Sequence, residues 1–528
     1  MHNALRIALR HHQRGELESA ESIYRQILAT SPRNPDALNL LGCIELTRGN
    51  RDRALPLMER AVAIAPRVPL YHENLAEAYY RKGRVQQAES ECRLALSLEP
   101  ARPQALNRLG IIAVDRRDYE AALDFLSQAL RHKPAYPEAM ANLAIALNRV
   151  GDHALARKYC ELALQLDPKS PVAWNNLGMA FKGMGMLPEA KQAFVGAGDF
   201  PIAKFNLGYI HLLEDDLVAG LPLCEWRKRM VDPGKGLERP EWDGQTGGHR
   251  LLVVHEQGLG DTILMSQFFV PLLERFAEVS VLVPHTMQRL LATLDPRLDV
   301  RTELGDLSYD VWCGTMSLPL LLGVDRVEKI PRAPWLSVPP ERPAEVRLRI
   351  GINWAGNPAF HYDRIRSTRL EEFAPLLEIS GVEWVSLHKG EREADAERFG
   401  LPQPLQEARD FHDTARVLAG LDMVISTETA VPNLSAALGV PTCVLAAVDH
   451  DWRWRSWYQG VRVCKQETPG DWSGAMAQAV QAVRAVQDPV GRRSRSAEPM
   501  PPRRSSKTAG RIRAADRFSP SGSRDPAA

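Results

Sequence analysis

Four short segments between residues 250 and 465 carry the side chains whose types and spacing could do chemistry. In HEQGLGDTI (255–263), Gly258 and Gly260 permit a tight turn, and Asp261 falls at the N-terminus of the helical run that continues through Leu264–Phe276. A carboxylate there either caps the helix or is offered to a ligand. Ile263 stands where a dinucleotide fingerprint needs its third glycine, and no Gly-Lys-Ser/Thr follows, so neither a GxGxxG site nor a P-loop is present. In GINWAGNPAFHYDRIRST (351–368) a polar loop holds Asn357, His361, Arg364 and Arg366, then enters a helix at Ser367/Thr368, with Thr368 and Glu371 as a capping box. Arginines at a strand's C-terminal end suit a phosphate. SLHKGE (386–391) adds Lys389 as a further cation, or as a solvated surface lysine. In STETAVPNLSAALGVP (426–441) a strand ends at Ser426 and Pro432 fits only a first helical turn, so a helix starts near Thr429 or Ala430. Free N–H groups over 429–432 and the positive end of the helix dipole make a ready diphosphate site.

These segments need strands to end on. Short β-rich runs occur at Leu251–His255, Val279–Val283, Asp310–Trp312, Ile350–Trp354, Val382–Leu387, Met423–Ser426, Thr442–Leu445 and Val461–Cys464, with helical stretches between them. That alternation predicts parallel sheets covered by helices. The proline-rich stretch 330–343 divides them into two Rossmann-like units that would face each other across a cleft, while the Gly/Pro-rich stretch 231–250 reads as a linker from what precedes.

What precedes repeats every 34 residues, with units starting at 1, 35, 69, 103, 137 and 171 and a seventh at Pro201. Position 8 is always Ala or Gly (Ala8, Gly42, Ala76, Gly110, Ala144, Gly178, Gly208), as is position 20, and proline closes five units at position 32. Small residues let two antiparallel helices approach, and the proline ends the second. The pattern over residues 1–232 resembles the tetratricopeptide repeat, which implies a solenoid whose concave face suits an extended partner. Cys92, Cys160 and Cys224 share position 24 with Tyr24, Met58 and Phe194 and read as packing residues. Asn74, Asn142, Asn176 and Asn206 recur at position 6, beside Asn39, Asn107 and Asn175 at position 5. This resembles the asparagine ladder of the protein O-GlcNAc transferase superhelix, which implies an acceptor groove; asparagine is also common here in ordinary repeats.

Taken together, GLGDTI, WAGNP followed by DRIRS, SLHKG, STETAVPNLSAALGVP and DWRW (451–454) resemble the glycosyltransferase-like domain behind bacterial tetratricopeptide arrays, related to the heptosyltransferases of glycosyltransferase family 9. The resemblance implies a GT-B fold, with an acceptor-side unit over 247–330 and a nucleotide-sugar unit over 345–487. It implies inverting, metal-independent transfer with no cofactor beyond the nucleotide-sugar co-substrate. Asp261 then matches the general base, and Asn357, Arg364, Arg366 and Lys389 the diphosphate ligands, with Glu428, Thr429, Ala430 and Asn433 at the donor helix. Glu428 and Asn433 depart from the family's usual residues, so the donor sugar is not inherited from the resemblance. The tryptophans of DWRWRSWY (451–458) either stack on a base or sugar or pack between the two units.

The formal charge is +1 over 528 residues, but residues 489–528 carry +7, which leaves −6 on the rest. That tail, rich in Pro, Ser and Gly, reads as disordered (488–528), with weak contact to anionic membranes as one use and no specific nucleic acid as partner. No secretory core, membrane-length apolar run or metal-spaced cysteine set is present, so the expectation is a reducing, cytoplasmic protein without structural metal. Three functions follow: a transferase acting on a protein or peptide held by the solenoid, a scaffold whose transferase-like half has lost chemistry, or a transferase acting on a lipid-linked or surface glycan.

Overall fold

A computed structural model describes residues 2–245, 249–343, 348–358, 360, 363–390 and 392–487. The expected disordered tail, and His361, lie outside the described residues. Residues 1–481 form one compact unit that contains both the helical and the α/β halves.

The helical half consists of seven antiparallel pairs, from His2–Gln13 with Leu17–Thr30 to Pro201–Leu213 with Leu217–Cys224. Second helices end at Thr30, Ile64, Leu98, His132 and Leu166, each two residues before the repeat's proline. From the second repeat to the sixth, the volumes at positions 8 and 24 compensate within a pair. Gly42, Gly110 and Gly178 face Met58, Leu126 and Phe194 so closely that a Cβ at Gly178 would lie 2.5 Å from the phenylalanine ring. In the third and fifth repeats position 8 is alanine and position 24 shrinks, Ala76 packing with Cys92 and Ala144 with Cys160, all fully buried, whereas the first repeat keeps Tyr24 with Ala8 and the seventh has Cys224 with Gly208. One small and one large partner fill the same gap in either arrangement. No described helix is long and apolar enough to cross a membrane.

The segment read as a linker packs on the first sheet. Trp242 is buried, its N–H donates to Trp312 O at 2.7 Å, and its ring meets Phe276 edge-on at 5.1 Å. Among the described residues there are nine strands in two all-parallel sheets. In the first, β1 (Arg250–Val254), β2 (Glu278–Leu282), β3 (Leu298–Arg301) and β4 (Val311–Gly314) lie in the order β3-β2-β1-β4. In the second, β5 (Arg349–Asn353), β6 (Glu383–Ser386), β7 (Met423–Thr427), β8 (Thr442–Ala446) and β9 (Val461–Lys465) lie in the order β6-β5-β7-β8-β9. β3 was not foreseen: its four residues, LDVR, put charge at an edge position and present no apolar run.

Both sheets are compatible with a Rossmann-like winding. Each reverses its strand order once, between β1 and β4 and between β5 and β7. Ligands of such sheets gather in the crevice beyond the carboxyl ends of the strands flanking the reversal. The four loops that matter are therefore those after β1, β4, β5 and β7, three of which carry sequence motifs.

Candidate functional site

All four loops border one cavity of about 1420 Å³, with Gly258–Asp261, Met316, Ala355–Pro358 and Glu428–Val431 in its wall. The short helix Leu259–Met265 faces helix Ala430–Ala437 across it, and a Cβ on Gly260 would come within 2.9 Å of the Asn433 amide. Glycine at 260 is what allows this approach. The solenoid's last helices supply another wall through Asn206, Tyr209 and Leu212. Lys182 ties this wall to the α/β half by pairing with Asp449 at 2.9 Å, and Arg455 does so by pairing with Asp215 at 3.0 Å. Below it, Arg227 reaches both oxygens of Glu256, at 2.7 and 2.9 Å, and Ser317 Oγ at 2.7 Å.

Asp261 is not the N-cap that the sequence suggested. Gly258 is the N-cap, and Asp261, three residues on, accepts its N–H through Oδ2 at 2.9 Å. The other carboxylate oxygen, Oδ1, accepts from Arg453 Nη2 at 2.5 Å. Arg453 is the hub of the site. Its Nη1 donates to Asn433 Oδ1 at 3.2 Å and its Nε lies 2.9 Å from Asp451 Oδ1. Burial works against its charge, but the flanking carboxylates of Asp261 and Asp451 hold the guanidinium protonated well above its ordinary range. Next to Glu256, Gln257 sits at φ 64°, a left-handed conformation unusual for a residue with a side chain, so the turn leading to Asp261 is strained.

Opposite, the helix starts as expected, with Thr429 as N-cap and Ala430 as first residue. The supply of amides is smaller than expected, because Pro432 has no N–H and that of Val431 donates to Thr429 Oγ1 at 3.3 Å. Thr429 and Ala430 both line the cavity. Asn433, read as a donor-side residue, is 2% exposed and spent: its Nδ2 donates to Thr429 O at 2.6 Å, and its Oδ1 accepts from Tyr458 at 2.8 Å as well as from Arg453. Glu428 likewise braces the chain, its Oε1 accepting from Asp451 N–H at 2.8 Å and Trp454 Nε1 at 2.9 Å. Burial pushes its carboxyl up to about 7, and the nearby Asp451 charge adds to this. Correcting the sequence reading, these two side chains hold the 451–454 segment in place, and through it Arg453.

The cations gather where expected, with their partners already chosen. Arg366 stacks over Phe360 at 4.3 Å and lies 3.4 Å from Asp363. Lys389 donates to Ala408 O, and exposed Asn357 borders the cavity beside them. Arg364 lies on the short helix Asp363–Arg366, and its side chain is outside what is described. The expected helix start and capping box at Thr368 are absent: Thr368 N–H instead donates to Trp354 O at 2.8 Å, and the next helical turn begins at Leu370. The capping signal lost because the loop folds back on β5.

Sequence reasoning missed a buried polar chain under these loops. Asn353 Nδ2 donates to Ser426 Oγ at 3.2 Å and Thr429 Oγ1 at 3.1 Å, linking β5 to the start of helix Ala430–Ala437. His388 Nδ1 lies 3.3 Å from Asn353 Oδ1, its ring stacked on Trp354 at 5.1 Å and kept neutral by burial and then by Arg392. Both residues sit inside segments whose strongest sequence signal is their cations. Arg453 was legible as a cation among tryptophans just after β8. The tryptophans themselves resolve to packing: Trp452, Trp454 and Trp457 are buried, Trp454 stacks on Tyr458 at 5.3 Å, and Phe268 of the other sheet's helices meets Trp457 at 6.3 Å. Among the described residues one group of three possible metal ligands, Asp410, His412 and Asp413, comes together, and Arg289 already pairs with both carboxylates.

In the solenoid, Asn74 donates to Asn39 at 3.2 Å, Asn142 to Asn107 at 2.9 Å and Asn206 to Asn175 at 3.0 Å. Asn176 is buried and donates to Ala141 O at 2.9 Å. The series expected to form an acceptor groove is thus largely spent in joining successive repeats, and Asn176 has no exposed face for a partner.

Comparison with known proteins identifies the helical half. Tetratricopeptide repeat families match residues 5–69, 40–105, 107–171 and 159–192. Protein FlbA of Caulobacter vibrioides is 25% identical over 293 residues, covering 46% of this chain and 48% of FlbA. The heat-shock cognate co-chaperone sgt12 of Aspergillus fumigatus is 36% identical over 107 residues, 20% of this chain and 31% of its own. The chain therefore spans less than half the length of these curated relatives. Among solved structures, PilF of Pseudomonas aeruginosa aligns over 37% of this chain and 91% of its own at 22% identity and a TM-score of 0.33. Cut9–Hcn1 of the APC/C aligns over 42% and 45% at 16% identity and a TM-score of 0.39.

Proposed function

From the premise that the helical half carries tetratricopeptide repeats, matched over residues 5–192, and borders an α/β cleft, we propose that the protein is an inverting, metal-independent glycosyltransferase of GT-B fold, acting on a protein or peptide acceptor. One observation carries this reading: the loops at both strand-order reversals meet at a single large cavity, with a carboxylate on one side and a helix N-terminus on the other. A nucleotide-sugar would place its diphosphate against the Thr429 and Ala430 amides, with Arg366 and Lys389 nearby. The acceptor hydroxyl attacks the anomeric carbon from the opposite face. Its oxygen forms the new bond, the bond from carbon to diphosphate oxygen breaks, and the hydroxyl proton passes to Asp261. Charge building on the departing diphosphate is met by amides and cations. Arg453 acts as a positioning residue, fixing the orientation of the Asp261 carboxylate through its contact with Oδ1, while the carboxylate's unused lone pairs would face the acceptor.

The test is binding first, then turnover. A nucleotide-sugar present at 100 times its dissociation constant adds about 2.7 kcal/mol of stability, which a thermal shift reads directly. A positive donor, together with transfer or donor hydrolysis that Asp261→Asn abolishes while leaving the thermal shift intact, is the expected outcome. Unchanged turnover in Asp261→Asn removes the base assignment. The absence of a shift with every donor favours the second reading, a repeat scaffold without chemistry, which the closed pairing of Asp261, Arg453, Asn433 and Glu428 supports.

A further inference from the structure

The two α/β walls of the large cavity differ in charge. Among the described residues, the first sheet contributes His255–Asp261, Met265, Thr286 and Met316, and no lysine or arginine. Its two carboxylates are engaged, Glu256 by Arg227 and Asp261 by Arg453. Arg366, Lys389, Arg392 and Arg409 all border the cavity from the second sheet's side. The aspartates on that side, Asp410, Asp449 and Asp451, each face a cation of their own, Arg289, Lys182 and Arg453. A ligand with one anionic and one uncharged end is therefore oriented by charge, its anionic end toward the second sheet and its uncharged end toward the loop after β1.

His255 presents a hydrogen-bonding edge to that uncharged end. It directly follows β1, its main-chain N–H donates to Leu282 O at 2.9 Å, and the half-buried residue lines the cavity. Its Nδ1 lies 2.5 Å from Thr262 Oγ1, whereas Nε2 has no partner among the described residues and stays accessible. Thr262 is fully buried, and among the described residues His255 Nδ1 is the one hydrogen-bond partner of its hydroxyl. A buried O–H needs an acceptor, so the hydroxyl donates and Nδ1 accepts. The ring proton then sits on Nε2, which makes that edge a donor. A second proton on Nδ1 would displace the hydroxyl's acceptor, and burial also favours the neutral ring against the pull of Asp261 and Glu256. A neutral imidazole N–H suits a hydroxyl or an amide carbonyl and adds no charge to attract a phosphate.

We propose that His255 binds the sugar of the nucleotide-sugar, donating its Nε2–H to an uncharged oxygen of that sugar, a ring hydroxyl or an acylamino carbonyl. This rests on the transferase reading and adds to it a sugar-recognising residue on the first sheet, across the cleft from the diphosphate.

The test is isothermal titration of the full chain with UDP-, GDP- and ADP-sugars and with the matching free diphosphates. His255→Asn keeps an acceptor for Thr262, because its Oδ1 takes the place of Nδ1, but has no atom at the Nε2 position. His255→Gln restores an amide N–H near that position. For a nucleotide-sugar that binds, His255→Asn should weaken affinity about fivefold, the size of one neutral hydrogen bond, with the free diphosphate unchanged and His255→Gln recovering about half of the loss. Equal weakening of sugar and diphosphate, or none, overturns the sugar contact while the transferase reading stands. Binding of no nucleotide-sugar overturns both. The nitrogen NMR spectrum of the histidine-labelled chain at neutral pH gives a readout that needs no nucleotide and serves if His255→Asn does not fold, with His255 identified by the signal missing in His255→Gln. A proton on Nε2 beside a bare Nδ1 is expected, and Thr262→Val, which keeps the volume, should let the two tautomers mix. A proton on Nδ1 of the unaltered chain overturns the assignment even where a nucleotide-sugar binds.

Discussion

The solenoid and the α/β half spend their buried polar groups in different ways. In the solenoid the partner sits one repeat back and one position earlier, position 6 meeting position 5: Asn74 meets Asn39 and Asn142 meets Asn107, 35 positions apart. At the cleft the partners have no periodic relation, Arg453 meeting Asp261 across 192 positions and Asn353 meeting Thr429 across 76. Each solenoid bond belongs to one interface of a nearly one-dimensional stack, so its loss stays local. The cleft bonds share members, so removing the hub strands several groups at once.

The largest expected effect follows from that hub. Arg453→Met leaves the partly exposed carboxylates of Asp261 and Asp451 without their cation, and about 3 kcal/mol is expected, the lower end of what breaking a fully buried pair costs. Urea unfolding followed by tryptophan fluorescence reads it directly, since Trp452, Trp454 and Trp457 pack around this segment. Asp261→Asn keeps an acceptor for the guanidinium and should cost distinctly less. If Arg453→Met costs no more than a single solenoid asparagine, the contrast between the two halves fails.

A packing test in the solenoid comes next. A methyl group on Gly178 would lie 2.5 Å from the Phe194 ring, so Gly178→Ala should destabilise by about 2–3 kcal/mol through overpacking. The preceding repeat already contains the remedy, Ala144 packed with Cys160. Gly178→Ala combined with Phe194→Cys should therefore recover at least about 1 kcal/mol relative to the sum of the single changes, in a double-mutant cycle. An additive cycle would mean that positions 8 and 24 are not volume-coupled.

Glu428 gives the cleft a pH signature that the solenoid asparagines cannot have. Its carboxyl titrates at about 7 in the fold, against an ordinary 4.5. The fold thus favours the protonated form: the associated stability is complete below about pH 4.5 and is lost as pH rises through 7. Glu428→Gln keeps the oxygen that accepts from Asp451 and Trp454 while removing the ionisation. It should match the parent protein at pH 4.5 and exceed it by about 2 kcal/mol at pH 8, read from urea midpoints at the two values. Parallel pH profiles for the two proteins would place Glu428 in a solvated setting instead.

The same contrast decides what could be read from the residues. The repeat was legible because positions 8, 20 and 32 recur, and a recurring position reports its neighbour in every unit. The strand ends and the helix start at Thr429 were legible because Gly, Pro and β-branched runs constrain the backbone locally. The hub was not. Nothing near Asp261 announces that Arg453 will reach it, since that contact depends on how two sheets face each other. Glu428 and Asn433 were read as ligand groups because they occupy the donor-helix positions of the family resemblance, and the sequence cannot show that Trp454, Tyr458 and Arg453 arrive first. Thr368 shows the reverse error: a good local cap signal overridden by the Trp354 carbonyl.

The smallest expected effect tests the solenoid's side of the contrast. Asn142 is half-buried and its amide donates to Asn107 at 2.9 Å, while Asn107 is 7% exposed. Asn142→Ala removes one neutral hydrogen bond, and water can reach the Asn107 oxygen through the space left, so about 1 kcal/mol is at stake. The loss should be confined: hydrogen exchange should quicken in helices Pro103–Asp115 and Pro137–Val150 and remain unchanged in β5 and β7. Exchange that also quickens around Thr429 would show that the repeats and the cleft share one cooperative network, and the asparagine series would then be part of the site instead of its support.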